Sequence, residues 1–116
     1  MALTFTLIGH PPSPNASVRR LKTWRESACA AAVQALRDAG NADDYPLDAA
    51  IVRLVCVVPD RRRRDPDNFT AACKGAIDGA VDAGVLRDDS FGVIRRLEVV
   101  SEAGPAKAIR MEVTTA

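Results

Sequence analysis

Two aspartates flank a proline near the middle of this 116-residue chain, in the segment Asp65-Pro66-Asp67-Asn68. A residue before proline favours the extended region, and in an extended backbone side chains two residues apart point to the same side. The spacing therefore predicts that Asp65 and Asp67 present their carboxylates together. Like charges held close together need a cation or a proton between them, and Mg²⁺ prefers carboxylate oxygens. The alternative interpretation is an ordinary helix start, because Asp and Asn are good N-caps.

A second acidic pair, Asp88-Asp89, lies in a polar turn over residues 86–90. The first pair follows a predicted strand, the second pair precedes another, and a predicted helix separates them. If the two strands pair in one sheet, we expect the two loops to converge. Three carboxylates would then hold Mg²⁺, with water and a substrate phosphate completing its coordination. The alternative for Asp88-Asp89 is a solvated turn.

One lysine on the intervening helix has the reach to join this site. Lys74 lies seven residues after Asp67, which is two helical turns along the same face. Its flexible stem can bring the ammonium back toward a bound phosphate. The alternative is an i,i+4 ion pair with Asp78, and the sequence leaves both interpretations open.

Basic residues are clustered although the net charge is only +1. Any affinity for nucleic acid must therefore come from a local patch. The run Arg61–Arg64 directly precedes the first acidic pair, and a second cluster comprises Arg19, Arg20, Lys22 and Arg25. Both are candidate phosphate-binding regions. The alternatives are a solvated loop and an exposed helix face.

The elements that must position these residues follow from hydrophobic periodicity. Alternation at Leu3, Phe5 and Leu7 predicts a strand, and an apolar stripe between a Ser17 cap and Gly40 predicts a helix. The apolar run 49–58 predicts a central strand covered on both faces. A second helix starts after Asn68 and ends at Gly84, and two strands joined by a Gly104-Pro105 hairpin loop close the chain.

The predicted order is therefore β-α-β-α-β-β, which indicates a single α/β (α+β) layer domain over residues 1–116, with helices packed on a mixed sheet. Hydrophobic residues make up 47% of the chain and charged residues 27%, which argues against disorder. No apolar run approaches membrane-spanning length, and the N-terminus lacks a basic signal-peptide region. Three cysteines without a C-x-x-C pair, and a single histidine, argue against a structural zinc site. We expect a cytoplasmic protein.

The combination of Asp65-Pro66-Asp67-Asn68, a helix carrying Lys74, and the segment 82–90 resembles the RusA family of Holliday junction resolvases. The opening Gly9-x-Pro11-x-x-x-Asn15, with basic residues shortly after it, is also similar to that family. The resemblance covers nearly the whole chain. It departs at the lysine, which in the family usually follows the Asn by three residues, where this chain has Ala71.

The resemblance implies a homodimeric, Mg²⁺-dependent endonuclease of bacteria or their phages, which resolves four-way DNA junctions by paired nicks during recombination and repair. It implies that Asp65, Asp67 and Asp89 bind the metal, although Asp88 remains an alternative to Asp89. Lys74 would act with these aspartates in catalysis. The residues expected to contact DNA are Arg19, Arg20, Arg61, Arg62, Arg63, Arg64 and Asn68.

Two other functions fit the same residues. A DNA-binding module of this fold without catalysis would bind junctions, and Asp67→Asn would leave that binding intact. A small Mg²⁺-dependent phosphohydrolase acting on nucleotides would ignore branched DNA. A comparison of four-way, duplex and mononucleotide substrates separates the three functions.

Overall fold

A computed structural model describes residues 2–60 and 64–116. It confirms the α+β class and the predicted order of elements. The strands are β1 (Ala2–Ile8), β2 (Ala50–Val58), β3 (Ile94–Ala103) and β4 (Ala108–Thr115). The helices are α1 (Val18–Ala39) and α2 (Thr70–Asp82), with short 3-10 turns at Ala42–Asp44 and Pro66–Phe69.

The four strands form one mixed sheet in the order β1-β4-β2-β3. Strand β4 is antiparallel to β1 and to β2, whereas β2 and β3 are parallel. Strands β1, β2 and β3 therefore run in one direction, and their carboxyl ends lie at one side of the sheet, which we call the carboxyl edge. The central position predicted for β2 is confirmed, and β3 is an edge strand.

The predicted hairpin between the last two strands is wrong. Strands β3 and β4 follow each other in sequence, but β2 lies between them. Residues 104–107 instead cross the end of β2, where the Gly104 amide donates to the Val58 carbonyl at 3.0 Å. A Cβ at Gly104 would overlap the Val57 side chain, so this crossing needs glycine. The Gly-Pro pair indicates a reversal of the chain, but it does not determine which strands pair.

The two helices pack side by side and run in the same direction. Near the start of α2, the Trp24 indole N–H donates to the Ala72 carbonyl at 2.9 Å. Farther along, a Cβ at Gly75 would lie 2.6 Å from Trp24 Cδ1, and one at Gly79 would overlap Ala28. Later residues of α1 contact later residues of α2, so the helices are parallel and both begin at the carboxyl edge. Their close approach depends on small residues.

The core lies between these helices and one face of the sheet. Leu3, Phe5 and Leu7 of β1 are buried in it, as their alternation predicted. The predicted ends of α1 are also confirmed. The Ser17 hydroxyl accepts from the Arg20 amide at 3.1 Å, and Gly40 adopts the left-handed conformation with φ of 70°.

The opposite face of the sheet, here called the open face, corrects a second prediction. Strand β2 was expected to be covered on both faces, but Arg53 on this face is about half exposed and lies 3.8 Å from Glu98 and 3.3 Å from Glu112. The register aligns these residues across β3, β2 and β4. Further ion pairs of this lattice join Arg96 to Glu98 at 2.6 Å, Arg110 to Glu102 at 2.7 Å and Arg110 to Glu112 at 3.0 Å.

Candidate functional site

A groove of about 560 Å³ runs between α2 and the edge strand β3. Its floor includes Leu97 and Val99, which remain partly exposed because no described element covers this side of β3. The side chains that line it include Asp67, Lys74, Asp78 and Asp89, together with Arg95 and Arg96. The groove therefore contains the predicted lysine and one aspartate from each predicted acidic pair.

The two aspartates lie at opposite ends of this groove. Asp67 follows β2 at the carboxyl edge, whereas Asp89 precedes β3 at the other side of the sheet. The 13 residues of α2 run between them, a length of about 20 Å at 1.5 Å per residue. The prediction that the two loops converge is therefore wrong within one chain. The flanking strands do pair in one sheet, but parallel pairing separates these loops.

Asp65 and Asp67 also differ in their surroundings. Asp65 is extended, with φ of −103° and ψ of 139°, as expected before proline. Pro66 then begins a 3-10 turn, in which the Asn68 amide donates to the Asp65 carbonyl at 3.0 Å. The extended backbone predicted for this segment therefore ends at Pro66. Asp67 lines the groove, whereas Asp65 lines a neighbouring cavity beside Cys56. Pro66 lies between them and lines both.

The second pair divides into an inward and an outward carboxylate. The pKa of Asp88 is lowered, first because its carboxylate accepts from the Asp89 amide, then through the hydroxyl and amide of Ser90. The carboxylate oxygens of Asp88 therefore accept hydrogen bonds from within the turn. Asp89 instead lines the groove. Of the two residues that the sequence left as alternatives, Asp89 is the one that lines the groove.

For Lys74, the ion-pair interpretation is confirmed, while contact with a phosphate stays a prediction. Its Nζ lies 3.3 Å from Asp78 Oδ2, so the i,i+4 ion pair is present. The side chain is nevertheless 73% exposed and lines the groove. Exposed pairs of this kind are weak, about 0.3–0.5 kcal/mol, so a phosphate can compete for the ammonium.

The basic cluster at the start of α1 is only partly free to bind phosphate. Arg19 and Lys22 are exposed on the helix surface. Arg20 donates to the His10 carbonyl, and its guanidinium lies 5.8 Å from the centre of the Trp24 ring. The structure therefore gives Arg20 a role in holding the loop after β1 against α1.

Arg25, the last cation of this cluster, forms ion pairs with acidic side chains of α2. Its Nε and Nη2 donate to the two carboxylate oxygens of Asp82 at 2.7 and 2.8 Å, and Asp78 lies 3.9 Å away. The bond to Asp82 is the largest cause of the raised pKa of Arg25, and the charges of Asp78 and Asp89 contribute less. The same bond lowers the pKa of Asp82.

The arginine run before α2 is described only at its last residue. Arg61, Arg62 and Arg63 lie outside the described residues. Arg64 has a side chain only 17% exposed and donates to Asp60 at 2.8 Å. Asn68 is exposed beside Asp67 at the carboxyl edge. Of the predicted DNA contacts at this position, Asn68 is thus the one that the structure places at the surface next to the groove.

A single chain does not fit the predicted magnesium site. Within residues 2–60 and 64–116, no group of three or more His, Cys, Asp or Glu side chains is arranged to hold a metal ion. This search includes Asp65, Asp67 and Asp89. The separation imposed by α2 accounts for the result.

Comparison with known proteins does not assign the chain to a family. No family profile matches it, and no curated protein matches it at a significant level. In the described part of the chain, no helix has the length and apolar character to cross a membrane. The class defined here is thus an α+β protein with a mixed four-stranded sheet and, beside its edge strand, a groove lined by both acidic and basic side chains.

One residue at the groove was missed by sequence reasoning. Phe91 lines its far end, two residues after Asp89, and is 97% exposed. A phenylalanine between Ser90 and Gly92 in an otherwise polar turn was the available signal.

Proposed function

We propose that this protein is a Mg²⁺-dependent endonuclease that acts as a homodimer on four-way DNA junctions during recombination and repair, in the cytoplasm of a bacterium or of a phage-infected cell. The observation that carries the proposal is the presence of Asp67, Lys74 and Asp89 along one exposed groove. Carboxylates and a lysine are the groups that phosphodiester hydrolysis with a metal requires. The sequence resemblance to RusA resolvases supports the same function.

Two copies supply what one chain lacks. A two-fold axis across the middle of the groove would set Asp89 of the partner subunit beside the Asp65 and Asp67 end of the first. Symmetry repeats the arrangement at the other end, which gives two equivalent sites. Three carboxylate groups from two chains would then fit a hard divalent cation, whereas those of one chain do not.

The surface around the groove suits contact with a second copy. Among residues 2–60 and 64–116, no strand pairs with the outer side of β3, so that edge of the described sheet is open. Leu97 is 50% exposed and Val99 is 39% exposed beside that edge. Pairing across this edge would cover both side chains and complete both sites at once.

The roles of individual residues follow from their positions. A bound Mg²⁺ would stabilise charge on the scissile phosphate and make an attacking water more acidic. The Lys74 ammonium would donate to a phosphate oxygen as charge develops there. Arg19 and Asn68, with Arg61, Arg62 and Arg63, would contact backbone phosphates, which position DNA without reading its sequence. Two sites related by a two-fold axis match two strands of a four-way junction.

The test is cleavage of a mobile four-way junction with Mg²⁺ and with EDTA, beside duplex DNA and a mononucleotide. We expect paired, symmetric nicks in the junction with Mg²⁺ and no cleavage with EDTA. Asp67→Asn should abolish nicking, whereas Asp43→Asn is the control because Asp43 is an exposed carboxylate in the 3-10 turn after α1, outside the groove. Unpaired cuts, or cleavage that persists in EDTA, would contradict the proposal.

A second candidate, a DNA-binding module without catalysis, is favoured by the dispersed carboxylates of the single chain. It predicts junction binding by wild type and by Asp67→Asn alike, with no nicking by either at any Mg²⁺ concentration. A nucleotide phosphohydrolase would instead release phosphate from the mononucleotide and leave the junction intact.

A further inference from the structure

The turn before β3 presents one aromatic ring to solvent. Phe91 is 97% exposed at the end of the groove. A single exposed apolar side chain is common and needs no explanation by itself. At Phe91, however, the structure of the turn and the charges around it indicate a specific ligand.

The turn is held by a set of short hydrogen bonds. The Ser90 carbonyl accepts from the Val93 amide at 3.0 Å and from the Ile94 amide at 2.8 Å. Arg95 Nε donates to the Gly92 carbonyl at 3.0 Å, and the Asp88 carboxylate accepts from Ser90. The backbone of Phe91 is therefore fixed at both ends, and little conformational entropy remains to be lost when the ring binds a ligand.

The surroundings of the ring favour nucleic acid over an apolar protein surface. Asp89, the candidate metal-binding residue, lies two positions before it, so a substrate phosphate must come close to this turn. Arg95 also lines the groove, and within the described residues its guanidinium forms no ion pair with a carboxylate. An exposed aromatic ring next to an available guanidinium matches a base and its adjoining phosphate.

We propose that Phe91 stacks on a base exposed at the branch point of DNA, while Arg95 contacts the neighbouring phosphate. This inference rests on the proposed function and adds the basis of its selectivity for branched DNA. In a continuous duplex, both faces of each base pair are covered by neighbours. At a branch point, base faces are open, and stacking on an aromatic side chain is available without breaking a base pair.

The experiment measures binding of the full chain to a four-way junction and to a duplex of the same sequence, in EDTA so that cleavage does not interfere. The variants are Phe91→Ala, Phe91→Leu and Phe91→Trp, and Ile8→Ala is the control because Ile8 is 81% exposed away from the groove. Loss of one stacked base corresponds to about a 5- to 150-fold weaker Kd. We expect this loss for Ala and Leu on the junction only, with wild-type binding by Trp and by the control.

A second readout distinguishes stacking from an apolar contact. With 2-aminopurine at the branch point, wild type and Phe91→Trp should quench its fluorescence, whereas Phe91→Ala and Phe91→Leu should not. Sedimentation of each variant measures the dimer in parallel. Dimerisation that is weakened in Phe91→Ala and restored in Phe91→Leu would assign the ring to a protein contact and overturn the proposal.

The remaining outcomes separate this inference from the proposed function. If Phe91→Ala binds and nicks the junction as wild type does, the stacking role is wrong and the endonuclease assignment stands. If wild type does not bind the junction more tightly than the duplex, both are wrong.

Discussion

Asp67 and Asp89 line one groove from opposite ends of α2, a helix about 20 Å long. A site that needs both carboxylates therefore cannot form inside one chain. In the proposed dimer, the same separation combined with two-fold symmetry would give two complete sites. Oligomerisation is thus a structural requirement of the proposed catalysis.

Mixing two inactive variants tests this arrangement. We expect Asp67→Asn and Asp89→Asn each to lose nicking by about 100-fold or more, since even indirect partners of metal ligands cost 10- to 100-fold. In a mixed dimer, the two lesions fall on the same shared site and the other site keeps wild-type residues. Mixing the variants should therefore restore nicking of one junction strand, as measured on a denaturing gel.

If each site lay within a single chain, mixing the two variants would not restore nicking. Each chain of the mixed dimer would then carry one damaged site, and no activity would return. A mixture of Asp67→Asn with Asp65→Asn is the matched control, because both residues belong to the same end of the groove and should not complement each other.

Lys74 should matter for catalysis far more than for stability. Loss of a donor that stabilises developing charge costs about 10²–10³ in rate, so Lys74→Gln should slow nicking by that factor. Its exposed pair with Asp78 contributes about 0.3–0.5 kcal/mol, so the denaturation midpoint should hardly change. Asp78→Asn removes the same pair and keeps the ammonium. A similar rate loss in Asp78→Asn would assign the effect to the ion pair.

The bond between Arg25 and Asp82 should make stability depend on pH. The folded-state pKa of Asp82 is lowered by this bond, so its contribution is fully present above the unfolded carboxyl pKa of about 3.9 and is lost as pH falls through the lower folded value. Asp82→Asn should have a lower denaturation midpoint than wild type at pH 7. The two midpoints should approach each other below pH 3.

Asp43→Asn provides the comparison for this experiment, since Asp43 is an exposed carboxylate in the 3-10 turn after α1. It should follow wild type throughout. A constant difference between Asp82→Asn and wild type down to the lowest pH would contradict the electrostatic origin of the effect.

The contact between the helices should be sensitive to a single methyl group. A Cβ at Gly79 would lie 2.7 Å from the Cys29 backbone nitrogen, and backbone cannot easily move aside. Overpacking costs about 1–3 kcal/mol and the helix-propensity gain returns about 1 kcal/mol, so we expect Gly79→Ala to destabilise the fold by up to about 2 kcal/mol. Gly92→Ala, whose Cβ would meet Ser90 Oγ at 3.6 Å, should stay within about 0.5 kcal/mol of wild type in urea denaturation.

Local signals in the sequence were sufficient to predict the helices and strands, but not which strands pair with each other. The cap at Ser17 and the left-handed Gly40 act within one helix, so spacing alone located both ends of α1. The hairpin at Gly104 failed because the pairing of β2 with both β3 and β4 depends on the assembled sheet. The expected meeting of Asp67 and Asp89 failed for the same reason, since only the strand directions determine at which edge each loop lies.

The ion-pair lattice of the open face has a consequence for how the protein meets a polyanion. Three arginines and three glutamates alternate there, so their fields cancel within a few ångströms. A nucleic acid that approaches this side meets repulsion and attraction in equal measure and gains nothing by remaining. If the protein binds DNA as proposed, the described charges of this face therefore favour an approach through the helical side and the carboxyl edge.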